Sequence, residues 1–168
     1  MGVSGCGKST IGRLIAKRLA CEFLEGDDLH PPRNVERMAS GIPLTDHDRR
    51  DWLKAIAEQL ADARAARHGL IVSCSALKRS YRNQLRTASS ALAFVHVHAS
   101  VEVLEARMQA RTDHFMPPSL LGSQLLTLEP PGPDERCVTL DAALPADQIA
   151  ERACAWLATT FSAAAPRS

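Results

Sequence analysis

Gly2-Val3-Ser4-Gly5-Cys6-Gly7-Lys8-Ser9, with Thr10 directly after, meets the pattern G-x-x-x-x-G-K-[ST] at every fixed position. The spacing has a chemical reason. The glycines let the backbone curl so that successive N–H groups converge on a polyphosphate. The lysine then reaches the β- and γ-phosphates, and the next hydroxyl ligates Mg²⁺. Gly2 through Thr10 are therefore the expected nucleotide-binding residues, with Lys8 also catalytic and Ser9 the expected metal ligand. Ile11 to Leu19 reads as a helix whose N-terminus faces the same anion. A glycine-rich turn ahead of an ordinary helix is the plainer alternative.

Other groups have the chemistry to serve an acceptor. Glu25-Gly26-Asp27 ends a short strand-like run. A carboxylate beside a phosphate loop orients an acceptor hydroxyl and takes its proton, or holds Mg²⁺ through water; an Asx turn before a proline-rich loop accounts for Asp27 equally well. Arg107 and Arg111 stand four apart on one helix face, just before a loop at 112–119. Two guanidiniums there would clamp phosphates as that loop closes and stabilise the transferring charge, unless the face is merely solvated. Arg49, Lys78 and Arg82 suit an anionic acceptor, although Arg49 and Arg82 also read as exposed salt-bridge partners. His30 and His114 lie in loops near the same region, as further candidates for substrate contact. His96 and His98 have no third ligand at a suitable spacing and read as structural.

The elements that must position these residues alternate along the chain. Strands are expected at 22–25, 70–74, 91–97 and 136–140, and helices at 34–40, 51–67, 81–87, 101–111, 120–128 and 146–161. Trp52, Ile56, Leu60 and Ala63 share one face of the second of these helices, and Ser100 is placed to cap the helix from 101. The continuous apolar run Leu70-Ile71-Val72 marks a strand buried on both faces. The class is α/β, a parallel sheet flanked by helices in one domain over 1–161, followed by a frayed tail at 162–168. One element is out of place. A phosphate loop normally follows a buried strand, yet only Met1 precedes Gly2, so the first strand is expected to be missing and the loop to lose its anchor.

The bulk composition narrows the partners. Twenty basic against nineteen acidic residues leave a formal charge of +1, which argues against nucleic acid or an anionic membrane. No apolar run approaches the roughly 18 residues of a membrane span, and no signal-peptide pattern is present. The five cysteines are scattered without a C-x-x-C pair. They read as free thiols of a reducing compartment, with the cytoplasm as default.

Beyond the phosphate loop, several segments carry a resemblance: Gly26-Asp27-Asp28-Leu29-His30-Pro31, Met38-Ala39-Ser40-Gly41, Asp48-Arg49, Trp52-Leu53, Cys74-Ser75-Ala76-Leu77-Lys78 with Tyr81-Arg82, His114-Phe115-Met116-Pro117 and Ser123-Gln124. Together they resemble the gluconate kinases of the shikimate-kinase-like group, from Met1 to about Trp156. The resemblance implies a phosphate-loop nucleoside-kinase fold with a mobile lid. It also implies ATP-dependent phosphorylation of D-gluconate at its 6-hydroxyl, and often a homodimer. By position it makes Asp27 the general base and acceptor ligand, and His30, Arg49, Lys78 and Arg82 contacts to gluconate or phosphate. Arg107 and Arg111 would flank a lid formed by 112–119, and Ala142-Ala143-Leu144-Pro145 would lie under the adenine. Asp51 stands where the family usually has proline, and both suit the first turn of a helix. A kinase for another small acid or polyol, such as shikimate, and an inactive ATP-binding remnant are the alternatives.

Overall fold

The computed structural model describes residues 1–110 and 117–162. Arg111, His114, most of the expected lid and the tail from 163 lie outside the described residues. Helix α1 (Lys8–Leu19) follows the phosphate loop, then come β1 (Glu22–Glu25), a 3₁₀ turn (Gly26–Leu29), α2 (Pro32–Ala39), α3 (Arg50–Ala65) and β2 (Leu70–Ser73). The chain continues through α4 (Arg79–Arg86), β3 (Phe94–His98), α5 (Val101–Gln109), α6 (Leu121–Thr127), β4 (Cys137–Asp141) and α7 (Ala146–Ser162). Boundaries differ from the expected ones for local reasons. Helix α2 begins two residues early because Pro32 occupies its first turn, where a missing N–H costs nothing. Strand β3 starts late because the chain turns at Ser89, whose N–H bonds the carbonyl of Arg86. The cap at Ser100 forms, its Oγ accepting from Val103 N at 3.5 Å.

All strand pairing is parallel: β1 with β2, from Glu22↔Leu70 to Glu25↔Ser73, and β3 with β4, from Phe94↔Cys137 to His98↔Asp141. Among the described residues nothing pairs with β2 and β3 along their facing edges, so the sheet is split in two. The phosphate loop, expected to lose its anchor, keeps one. Val97 donates to the carbonyl of Met1 at 2.9 Å, and Gly2 donates to that of Ser75 at 3.2 Å. Met1 to Val3 therefore bridge the two halves at the carboxyl ends of the strands. Below them lies an apolar slot with a cavity volume of about 120 Å³, lined among others by Met1, Ile15, Ile56, Ile71, Leu85 and Val95. The Met1 ammonium points into this region and donates to the carbonyl of Val95. Burial pushes its pKa down, because an apolar slot disfavours the charged form.

Two apolar clusters hold the layers. Val3, Cys6, Ile11, Ile15, Leu104, Met108 and Ile149 join the loop to α1, α5 and α7. Trp52, Leu53, Ile56, Tyr81, Leu85 and Phe94 join α3 and α4 to the sheet. Trp52, Ile56, Leu60 and Ala63 are all buried on the face that their spacing indicates.

Candidate active site

The phosphate loop is built as its glycines demand. Gly5 and Gly7 have φ of 84° and 96°, backbone that a side chain rarely tolerates. Gly7 leads directly into α1, whose first N–H groups therefore face the loop. Lys8 arches over it, Nζ donating to the carbonyl of Val3 at 3.0 Å. Ser9 Oγ stands 3.4 Å from Ser73 Oγ at the end of β2.

Cavities open on both sides of the loop, with Gly5 and Gly7 in the wall of each. On one side a polar cavity of about 40 Å³ is lined by Ser4, Lys8 and Ser9 together with Asp27, His30, Met38, Arg49, Ser75 and Gln124. On the other a wider space of about 320 Å³ is lined by Thr10, Arg107, Ala110, Ala142, Leu144 and Ala146. Arg107 is tied there, Nη2 donating to the carbonyl of Ala142 at 2.9 Å. Ala142 and Leu144, from the segment expected under a nucleotide base, thus line a cavity beside the phosphate loop.

Asp27 reaches the polar cavity because Gly26 packs hard against β2. A Cβ on Gly26 would stand 2.3 Å from the carbonyl oxygen of Ser73, so only glycine fits. The indole of Trp52 secures the same turn, Nε1 donating to the Gly26 carbonyl at 2.7 Å. The other face of the story is His30, stacked on Trp52 with ring centroids 4.3 Å apart and planes 12° apart. Burial first, and the nearby Arg49 cation second, push the His30 pKa down to about 4, so the ring is neutral at pH 7. Arg49 sits before the first turn of α3, its Nε buried without a hydrogen-bond partner among the described residues.

Two expected substrate contacts are placed elsewhere. Arg82 does not reach the cavity: it is wholly buried, with Nε and Nη2 donating to Glu135 at 2.7 and 2.8 Å. Its Nη1 donates to the carbonyls of Ala76 and Leu77. Arg82 is therefore a strut for the Ser75–Leu77 turn, where Ala76 takes φ of 42° and Ser75 accepts from Gly2. Lys78 also falls outside the cavity wall and pairs with Asp46 at 2.7 Å. Tyr81 donates to the same carboxylate, and the two hydrogen bonds hold the Asp46 pKa below the usual carboxylate range.

Residues that spacing did not single out complete the cavity. Gln124, on α6, accepts from Ser4 N through Oε1 at 2.7 Å and is buried against the loop. Ser75 and Met38 line the same space. Gln124 belongs to the Ser123-Gln124 segment of the family resemblance, but its hold on the loop is a contact across 120 residues that no local spacing sets. His96 is buried, its Nδ1 3.3 Å from Thr139 Oγ1.

A phosphate loop at the carboxyl ends of parallel strands, with a carboxylate across the cavity from its lysine, defines a phosphate-loop kinase of small molecules. Residues 1–131 match the family model described as AAA domain. The chain is 50% identical over 151 residues to the gluconokinase of Gluconobacter oxydans (strain 621H), covering 90% of this chain and 85% of that protein. It is 43% identical over 135 residues to the thermoresistant gluconokinase of Escherichia coli (strain K12), covering 80% and 77%. The crystal structure of a gluconokinase from Sinorhizobium meliloti 1021 superposes with a TM-score of 0.88 at 52% identity, over 98% of this chain and 92% of that one. The APS kinase of Mycobacterium tuberculosis, at 16% identity and a TM-score of 0.69 over 94% of both chains, shares the fold alone. The chain belongs to the gluconokinase family.

Proposed function

We infer that this protein transfers the γ-phosphoryl group of ATP to D-gluconate, at the 6-hydroxyl, giving 6-phosphogluconate and ADP. The observation that carries the reading is one cavity in which Lys8 and Ser9 of the phosphate loop meet Asp27, His30 and Arg49. The loop amides and Lys8 bind the phosphates and offset the charge that builds on the transferring group. Asp27 orients the hydroxyl and takes its proton. Arg49, with a buried N–H to offer, pairs with the gluconate carboxylate, which a neutral sugar lacks. Arg107 lies on the nucleotide side, and the 142–145 segment beneath the base. Arg111 and His114 keep the roles that the resemblance implies, at the lid and the substrate.

Mg²⁺ suits the donors present: the Ser9 hydroxyl and the Asp27 carboxylate are hard oxygens in one cavity. Ser9 would hold the ion, which when bound neutralises phosphate charge. The partner is a small molecule, handled by one domain over 1–161. No described helix is long and apolar enough to cross a membrane; the scattered free cysteines favour the cytoplasm, and the family resemblance is compatible with a homodimer. Release of ADP against gluconate, glucose and shikimate tests the reading. Gluconate should be turned over far faster than glucose, because a site built around a carboxylate leaves its cation unpaired with the neutral sugar. Equal rates would overturn it.

A further inference from the structure

His30 lines the acceptor cavity and stacks on the buried Trp52 behind it, and Asn34 meets the edge of the His30 ring. Asn34, in the first turn of α2 and four residues beyond His30, is fully buried. Its Nδ2 donates to the carbonyl of Asp48 at 2.8 Å and stands 3.5 Å from Nδ1 of His30. The amide cannot be reversed, because that would set two acceptors, Oδ1 and the Asp48 carbonyl, face to face at the same distance. The NH₂ group therefore faces both partners, one hydrogen toward each. At 3.5 Å the contact to the ring is long. It acts mainly by exclusion: a proton on Nδ1 would oppose an amide hydrogen, whereas a lone pair there meets one. A neutral imidazole carries a single proton, which must then sit on Nε2.

We propose that Asn34 fixes His30 as the Nε2–H tautomer, so that His30 is a hydrogen-bond donor to the acceptor substrate and leaves proton abstraction to Asp27. Asn34 is thereby a positioning residue, acting through His30. The low His30 pKa supports this, since a neutral ring has a tautomer to choose. So does the company of the ring: Lys8 and Arg49 line the same cavity and offer only hydrogens, and Asp27 is the carboxylate among them. A substrate rich in hydroxyl and carboxylate oxygens then meets donors on several sides and one base. Trp52 contributes by holding the ring plane with its face and the Asp27 turn with its N–H. The assignment rests on the reading that gluconate occupies this cavity.

Two measurements test it. Long-range ¹H–¹⁵N spectra of the wild-type protein, with the His30 signals identified by their loss in His30→Gln, should show a pyridine-like Nδ1 and a pyrrole-like Nε2. A pyrrole-like Nδ1 overturns the proposal. In steady-state kinetics at a pH high enough to keep the ring neutral, Asn34→Asp places a carboxylate against Nδ1 and draws the ring's single proton there, off Nε2. It should raise KM for gluconate about tenfold, the worth of one neutral hydrogen bond, while KM for ATP stays within about twofold. His30→Gln puts an amide nitrogen near the Nε2 position, and His30→Asn does not, so the second should show a KM for gluconate about tenfold above the first. Equal values for the two, or a rise in both KM values together, count against the assignment. If Asn34→Asp fails to fold, the wild-type spectrum and the His30 pair decide. Failure of the substrate reading would look different: a wild-type protein that does not turn over gluconate at all.

Discussion

Replacing Glu135 by alanine removes a buried carboxylate that accepts four hydrogen bonds. Its carboxylate accepts from Nε and Nη2 of Arg82, from Nη2 of Arg86 and from the backbone N–H of Gly132. Both members of the central pair are 1% exposed at the side chain. Removing the carboxylate leaves the Arg82 guanidinium charged, buried and without its counter-ion, which typically costs about 3–5 kcal/mol. In a domain of this size each kcal/mol moves Tm by roughly 2–4 °C, so the variant should melt roughly 6–20 °C below wild type. The loss should exceed that of an exposed pair such as Lys54–Glu58, worth about 0.3–0.5 kcal/mol. Urea denaturation at pH 7 and a thermal scan supply both numbers. The double variant Arg82→Met, Glu135→Leu should recover much of the loss, because it removes both charges and keeps apolar volume. The pair also sets a pH dependence. Its hydrogen bonds hold the Glu135 pKa well below the usual carboxylate range. The folded state then binds fewer protons than the unfolded one as acid is added, so the stabilisation is complete above the ordinary glutamate pKa and is lost as pH falls below it. A Glu135→Ala protein within about 1 kcal/mol of wild type at pH 7 would refute this reasoning.

Other perturbations follow from the same geometry. Lys8→Ala should abolish turnover and Asp27→Asn should slow it at least about a hundredfold, with circular dichroism unchanged in both; full activity in Asp27→Asn would move the base to another group. The buried Met1 ammonium has a lowered pKa, so the folded state binds fewer protons there than the unfolded amine near pH 7. Stability should therefore rise with pH up to about 8 and level off above, and denaturation of N-terminally acetylated protein should lack that slope. Fusing about five or six apolar, β-branched residues ahead of Met1 should fill the slot between β2 and β3. At about 24 cal/mol per Å³ of cavity the gain is on the order of 3 kcal/mol, read as a higher Tm; an unchanged Tm would mean that the added segment does not enter the slot.

Local pattern was enough for much of this protein. The phosphate loop, the alternation of strands and helices and the buried face of α3 are set by near neighbours in the chain: glycine φ values, apolar periodicity, capping. They were legible because their causes lie within a few residues. Asp27 was legible for the same reason, as a carboxylate at the end of a strand beside that loop. Arg49 and Arg82 were not separable. Each is an arginine near a turn, and what distinguishes them is desolvation against a partner far along the chain: Arg82 finds Glu135 53 residues away, whereas Arg49 lines the cavity and its buried Nε has no hydrogen-bond partner among the described residues. Asn34 and Trp52 read as helix residues, and their hold on His30 and Gly26 exists only once α2 and α3 pack over the turn after β1. The anchoring of the loop was not legible: that Met1 to Val3 tie β3 to the turn after β2 depends on long-range hydrogen bonds. Periodicity and capping act within a turn of helix or a pleat of strand. Burial, charge pairing and tautomer choice are properties of the space between elements, and only the packed tertiary structure defines that space.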